Sequence, residues 1–254
     1  MKPVSNPCVA CRQGPPVFPF TMAFQPIVDL LDRRIDAYEA LVRGPNGEGA
    51  PQVLAQVNAD NLYAFDQACR VKAIEMAVRL GVDRQLNINF LPMAVYEPDA
   101  CIRLTLDAAD RNGFPRDRIT FEIVESESIT DLGHLLAIIT SYRRYGFKIA
   151  LDDFATGYSG LLRLAQLKPD ILKLDRALVQ DCDRDPIRLA IIASMIALGG
   201  EIGIKVVLEG VERAGEMEAL KSVGGRFMQG FHFARPMFEA ILRDDSIECL
   251  RAGP

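Results

Sequence analysis

No run of this 254-residue sequence is both apolar and long enough to cross a bilayer. The longest apolar stretch, residues 189–198, is about half the required length and is broken by Ser194. The proline-rich start carries Lys2 and Arg12 and lacks the apolar segment of a secretory signal. No block of basic residues exists, and the net charge is −5, which argues against a protein that grips duplex nucleic acid through its phosphates. The six cysteines, at 8, 11, 69, 101, 182 and 249, are scattered and form no disulfide framework for a chain this large, so reduced thiols are expected. Cys8 and Cys11 have the spacing of a metal-ligand pair, but no second pair lies near enough to complete a four-coordinate zinc site, and incidental thiols are the favoured reading. These absences together point to a cytoplasmic protein with no membrane span.

What is present is an ordinary globular composition, 49% apolar and 25% charged, at a length that suits one large domain. A proline-rich leader over residues 1–20 and a single domain over residues 21–254 are expected, because no linker or low-complexity tract interrupts residues 21–240. Residues 22–30 and 34–42 read as two strands joined by a turn, an opening hairpin. A long amphipathic helix begins near Asp60 and stops at Gly81. After it a unit repeats: a short apolar run, an oxygen-bearing residue at its end, then a helical segment. The runs are residues 85–89, 118–122, 148–153, 170–175 and 205–209; the helices cover residues 99–111, 130–144, 161–167, 186–199 and 214–223. Alternation of this kind implies parallel strands flanked by helices, and the number of units favours an α/β (β/α)8 TIM-like barrel with one antiparallel strand near its start. A doubly wound open sheet is the alternative. Ile187, Ala190, Ile191, Ser194, Met195 and Leu198 have the spacing of a core-facing helical stripe.

Glu39, Asn89, Glu122, Asp152, Asp153 and Glu209 fall at or near the carboxyl ends of the proposed strands, the face where barrels carry their sites. Each alone could simply cap the next helix. A set of hard oxygen donors with no His or Cys among them has the character of a site for Mg2+ or Mn2+ rather than Zn2+. The adjacent Asp152 and Asp153 suit two ions held close together, the clamp used for displacement at phosphorus. Lys173 shares a strand face with Asp175 in an apolar run, where a solvated lysine would be out of place. His134 and His232 have no neighbours that suggest metal ligation.

At this point a family resemblance is carried by several motifs in order: Phe24-Gln-Pro-Ile-Val28, Glu39-Ala-Leu-Val-Arg43, Ile88-Asn89-Phe90, Phe121-Glu122 with Glu125, Asp152-Asp-Phe-Ala-Thr-Gly-Tyr-Ser159, Leu172-Lys-Leu-Asp175, Glu209-Gly-Val-Glu212, and Gln229-Gly-Phe with Arg235-Pro236. Their order and spacing resemble those of the EAL family of cyclic di-GMP phosphodiesterases; the second Glu-Ala-Leu, at Glu218, is an incidental copy. The resemblance implies hydrolysis of cyclic di-GMP to linear 5'-pGpG by two-metal in-line attack of a metal-bound water. It implies Glu39, Asn89, Glu122 and Asp152 as ligands of one Mg2+ or Mn2+, and Asp152, Asp153 and Glu209 as ligands of a second, with Ca2+ inhibitory. Lys173 would act with Glu209 and Glu39 in catalysis, orienting the water. Gln229 and Glu212 would hold the ligands in register, and Glu125 would brace the loop after the paired aspartates. Gln25, Leu41, Arg43, Asp175 and Pro236 would contact the substrate. The loop 154–159 would join two copies in a homodimer. The chain departs from the usual pattern at Ala155, where glycine is common, and in Phe90-Leu-Pro92 and Leu208, which read as packing variants. A non-catalytic cyclic di-GMP receptor, or a protein-interaction module on the same fold, are the alternatives.

Overall fold

The structure, a computed structural model, describes residues 18–124, 131–154 and 160–251. The Cys8 and Cys11 pair, Glu125 and the loop residues 155–159 lie outside the described residues. The first two strands form the expected hairpin: β1 (Thr21–Asp29) runs antiparallel to β2 (Arg34–Arg43), with Gln25 opposite Glu39. A short helix α1 (Ala50–Leu54), with proline in its first turn, leads to α2 (Leu62–Arg79). Parallel strands then follow in sequence: β3 (Gln85–Asn89), β4 (Ile119–Val124), β5 (Lys148–Phe154), β6 (Ile171–Leu174), β7 (Lys205–Leu208) and β8 (Phe227–Met228). Because β8 pairs with β1 and β1 with β2, the sheet closes on itself, and β1 is the one antiparallel strand of an eight-stranded barrel. The open doubly wound sheet is excluded by that closure.

The helical segment expected over residues 99–111 is two helices, α3 (Pro98–Cys101) and α4 (Arg103–Asn112), which meet at Ile102. The outer ring continues with α5 (Leu132–Arg144), α6 (Gly160–Leu167), α7 (Arg176–Val179), α8 (Pro186–Ile202) and α9 (Ala214–Ser222). Aspartates start three of these: Asp131, Asp175 and Asp185 accept hydrogen bonds from the first-turn backbone of α5, α7 and α8. A further strand, β9 (Met237–Phe238), pairs with β1 at Ala23 and Phe24, on the edge away from β2. Nothing in two residues of sequence could have announced it.

The predicted core stripe on α8 is corrected by the structure. Ile187 and Ile191 are 72% and 46% exposed; Met195 of the stripe is buried as expected, and Ile192 and Gly199 are buried in place of the exposed positions. The helix is apolar on nearly every side, so spacing alone did not fix its rotational phase.

Inside the barrel the side chains are layered. Ile27, Ala37, Ala150, Ile171 and Val207, with Phe227 against them, fill the lower interior. Two residues further along their strands the filling changes from hydrocarbon to oxygen: Glu39 follows Ala37, Asp152 follows Ala150, Lys173 follows Ile171 and Glu209 follows Val207. The two-residue repeat of a strand therefore lifts the polar groups of four strands to one level, above an apolar floor.

Candidate metal centre at the carboxyl end of the barrel

Lys173 stands at the middle of that polar level, 1% exposed. Its Nζ lies 2.8 Å from Glu122 Oε1, 2.8 Å from Glu209 Oε1, 3.2 Å from Asp152 Oδ2 and 3.5 Å from Glu39 Oε2. Burial disfavours an ammonium, but the four surrounding carboxylates outweigh it and hold the lysine pKa well above its ordinary value. Burial and the neighbouring Glu39 charge push Glu122 well up, while burial and Asp152 do the same to Glu209. Glu39 goes the other way. Burial alone would raise it, but Lys173 together with amide donors from Gln229 and Asn89 holds it below its ordinary value.

Those amides brace Glu39 on both oxygens. Asn89 Nδ2 donates to Oε1 at 3.1 Å, and Gln229 Nε2 donates to Oε2 at 2.7 Å. Gln229 also reaches Gln25 Oε1 at 3.3 Å, and Gln25 donates to the Ala234 carbonyl at 3.0 Å. Asn87, fully buried one alternation below Asn89, donates to Glu122 Oε1 at 2.8 Å. Asn87 is a contact that the sequence reading missed, although its place two residues before Asn89 on one strand puts both on the same face.

Asp152 and Asp153 are consecutive, and in a regular strand their side chains would point to opposite faces. Here the β5–β6 register shifts between Leu151 and Phe154, and Asp153 has φ +53°. The irregularity turns both carboxylates toward the rim, where both line the same two cavities. A non-glycine residue held at such a φ carries backbone strain of order 1–3 kcal/mol, the kind that persists where the surroundings over-determine it. Burial and the Asp152 charge raise Asp153 to about 6.

At the rim, two triplets of carboxylates are close enough to hold a cation: Glu39, Glu122 and Asp152, and Asp152, Asp153 and Glu209, each with donor oxygens within 4.8 Å of one another. They share Asp152. Glu122 Oε2 is buried without a hydrogen-bond partner among the described residues, an acceptor that a cation would satisfy. The donors are oxygens throughout, which fits a hard divalent ion.

The cluster divides two cavities. One, of about 260 Å³, is lined by Gln25, Lys173, Asp175, Glu212 and Gln229 as well as the shared acids. The other, of about 340 Å³, is largely apolar, with Leu41, Val42, Leu54 and Leu91 in its wall. Glu39, Asp152 and Asp153 belong to both. Of the expected substrate contacts, Gln25, Leu41 and Asp175 therefore line a cavity, with Asp175 also capping α7 through Ala177 N at 2.8 Å. Arg43 is half-buried and donates to the Val42 carbonyl at 2.7 Å, and Pro236 is half-buried; neither lines these two cavities. Glu212 reaches Arg176 Nη2 at 3.1 Å instead of a carboxylate of the cluster. Arg176 and Phe231 complete the polar cavity and were not anticipated. Glu218, of the incidental Glu-Ala-Leu, lies on α9 and pairs with Lys221.

A sequence model of the EAL domain matches residues 19–236. The chain superposes with a TM-score of 0.88 on a standalone EAL protein from Vibrio cholerae solved with bound c-di-GMP, at 45% identity over 93% of this chain and 99% of that one. It superposes with a TM-score of 0.84 on BlrP1 of Klebsiella pneumoniae in a manganese and cy-diGMP complex, at 36% identity over 91% of this chain and 59% of that one. RocR of Pseudomonas aeruginosa, a cyclic di-GMP phosphodiesterase, is 38% identical over 130 residues, 51% of this chain and 33% of RocR. The chain spans between 26% and 55% of the length of the first curated relatives it matches. Among the described residues no helix is long and apolar enough to cross a membrane. Together with the closed barrel and its acidic rim, the match across residues 19–236 means that the chain belongs to the EAL domain family.

Proposed function

We propose that this protein is a divalent-metal-dependent phosphodiesterase that opens cyclic di-GMP to linear 5'-pGpG. The observation that carries the proposal is the charge at the rim. Glu39, Glu122, Asp152 and Glu209 surround one ammonium, Lys173, with Asp153 beside them, and when all five acids are ionised four negative charges are left over, which two divalent cations would cancel. Asp152 belongs to both candidate triplets and would be a ligand available to either ion. Two Mg2+ or Mn2+ ions bound there would neutralise a substrate phosphate and activate a water toward it.

The chain's own groups supply the rest. Lys173 stays protonated, since four carboxylates face it, so it serves as a fixed positive donor rather than as a base. It keeps Glu122, Asp152 and Glu209 aimed at one point and orients the attacking water beside the phosphate. Asn89 and Gln229 lock Glu39 from either side, and Asn87 locks Glu122. The water oxygen would bond to phosphorus as the bond to the 3' oxygen on the opposite side breaks, one proton of that water ending on the departing 3' oxygen and the other staying with the new phosphate group, while the second ester of the ring is left intact. Gln25, Leu41 and Asp175 would hold the substrate from the two cavity walls, and Arg43 and Pro236, outside those walls, would contact it beyond them. Arg43 would have to turn from the Val42 carbonyl to reach it. Ca2+, larger and less strict in geometry, would bind without supporting turnover. A homodimer formed through residues 154–159 belongs to the same reading.

The test is chromatographic separation of products from cyclic di-GMP with Mg2+, Mn2+, Ca2+ or EDTA. Turnover to pGpG is expected with the first two alone, and Glu39→Ala and Asp152→Ala should lower it at least a thousandfold while circular dichroism shows a folded barrel. Tight binding of cyclic di-GMP with no product under any metal would instead make the protein a receptor.

A further inference from the structure

Asp66, in the wall of the apolar cavity, belongs to a buried ion pair that the chemistry above leaves unused. Asp66 and Arg70 stand one turn apart on α2, with side chains 2% and 0% exposed, and Arg70 Nη2 lies 2.5 Å from Asp66 Oδ2. A wholly buried ion pair gives up much of its attraction to desolvation, so stability alone is a weak reason for one. Its surroundings supply another. Arg70 Nη1 donates to the Tyr142 hydroxyl at 2.7 Å, and the guanidinium carbon lies 5.1 Å from the Phe90 ring and 5.2 Å from the Phe121 ring. Asp66 Oδ1 accepts the backbone N–H of Leu91 at 2.9 Å.

Three of these four contacts fall beside two of the candidate metal ligands. Phe90 follows Asn89, Phe121 precedes Glu122, and Leu91 is two residues past Asn89. Asn89 and Glu122 are register partners on β3 and β4, and Phe90 N donates to the Glu122 carbonyl at 3.2 Å. Side chains alternate along a strand, so Asn89 and Glu122 serve the barrel interior while their phenylalanine neighbours face outward onto the guanidinium. The aromatic ring of Phe90 supplies one of the faces that Arg70 packs against.

We propose that Asp66 and Arg70 are positioning residues that fix Asn89 and Glu122 from outside the barrel: the Asp66 carboxylate holds the chain after β3 through Leu91, and Arg70 clamps Phe90 and Phe121. This rests on the metal-binding reading above. Its test is calorimetric Mn2+ binding to the full chain, with circular dichroism as the check on folding. Two double variants remove both buried charges. Asp66→Asn with Arg70→Met retains an acceptor for the Leu91 N–H, whereas Asp66→Leu with Arg70→Met removes it. The first loses the guanidinium clamp alone and is expected to bind Mn2+ about three- to tenfold more weakly than wild type, and the second, which loses the Leu91 anchor as well, about tenfold more weakly again. Equal affinities in the two variants, whether both normal or both poor, overturn the proposal. If wild type binds no Mn2+, the metal reading itself falls and takes this inference with it, which is a different result from normal wild-type binding beside two equal variants. Should the leucine variant not fold, Phe90→Leu keeps both charges and removes one ring from the guanidinium. It is expected to weaken Mn2+ two- to fivefold, and unchanged affinity would overturn the clamp.

Discussion

At Asp153 two unfavourable conditions coincide, a left-handed backbone and a carboxyl raised to about 6 by burial and by Asp152. Both follow from squeezing a second acid into the rim beside the first. The raised value has a definite sign for stability. In the ion-free fold Asp153 keeps a proton that the unfolded chain gives up near its ordinary 3.8, so its contribution is present below about pH 4 and is lost as pH rises through about 6. A cation reverses the preference, because it binds the charged form. Mn2+ affinity is therefore expected to climb as pH rises through about 6 and to level off above 7, by up to about tenfold per pH unit from this group. Titration at pH 5, 6, 7 and 8 would measure it. Asp153→Asn should weaken binding at pH 8 and flatten the profile, and a flat wild-type profile would contradict the assignment.

At the level of elements, the sequence carried much of the arrangement but not its phase or its irregularities. Short apolar runs ending in an oxygen donor revealed five of the parallel strands and which end of each bears the chemistry, because strand periodicity and the barrel's geometry leave little choice. The bulge that turns Asp152 and Asp153 to one side depends on how β5 pairs with β6, a long-range fact that adjacent letters do not encode. The Asp66 bond to Leu91 spans 25 positions and was invisible for the same reason. In α8 the difficulty was different, since isoleucine, leucine, methionine and alanine occupy almost every side of the helix and several faces satisfy the same spacing. The packing decides between them. Ile192→Ala is expected to cost about 2–4 kcal/mol by opening a cavity, whereas Ile187→Ser, on the exposed first turn, should stay within about 0.5 kcal/mol. Urea unfolding of both variants checks the assignment, and a larger loss at Ile187 than at Ile192 would restore the stripe expected from spacing.

For the molecule as a whole, the barrel holds more negative charge at its rim than one lysine can balance, so the ion-free fold is under electrostatic tension that ligands should relieve. Mn2+ at one hundred times its dissociation constant would stabilise the fold by about 2.7 kcal/mol for a single site. In a chain of this size each kcal/mol moves the melting midpoint by about 2–4 °C, so a rise of roughly 5–10 °C over EDTA is expected at pH 8. Lys173→Met sharpens the test. Removing the ammonium leaves the four carboxylates it contacts without their common partner, a loss of about 3–5 kcal/mol by analogy with other broken buried pairs. In EDTA the variant should melt well below wild type. Divalent ions can replace the missing positive charge, so the gap between variant and wild type should narrow in Mn2+, while the proposed turnover should stay low for want of the lysine proposed to orient the water. Scanning calorimetry in EDTA and in Mn2+ reads all four midpoints. If Lys173→Met were destabilised equally in both, Lys173 would serve packing rather than charge, and the rim would not be the place where the cations act.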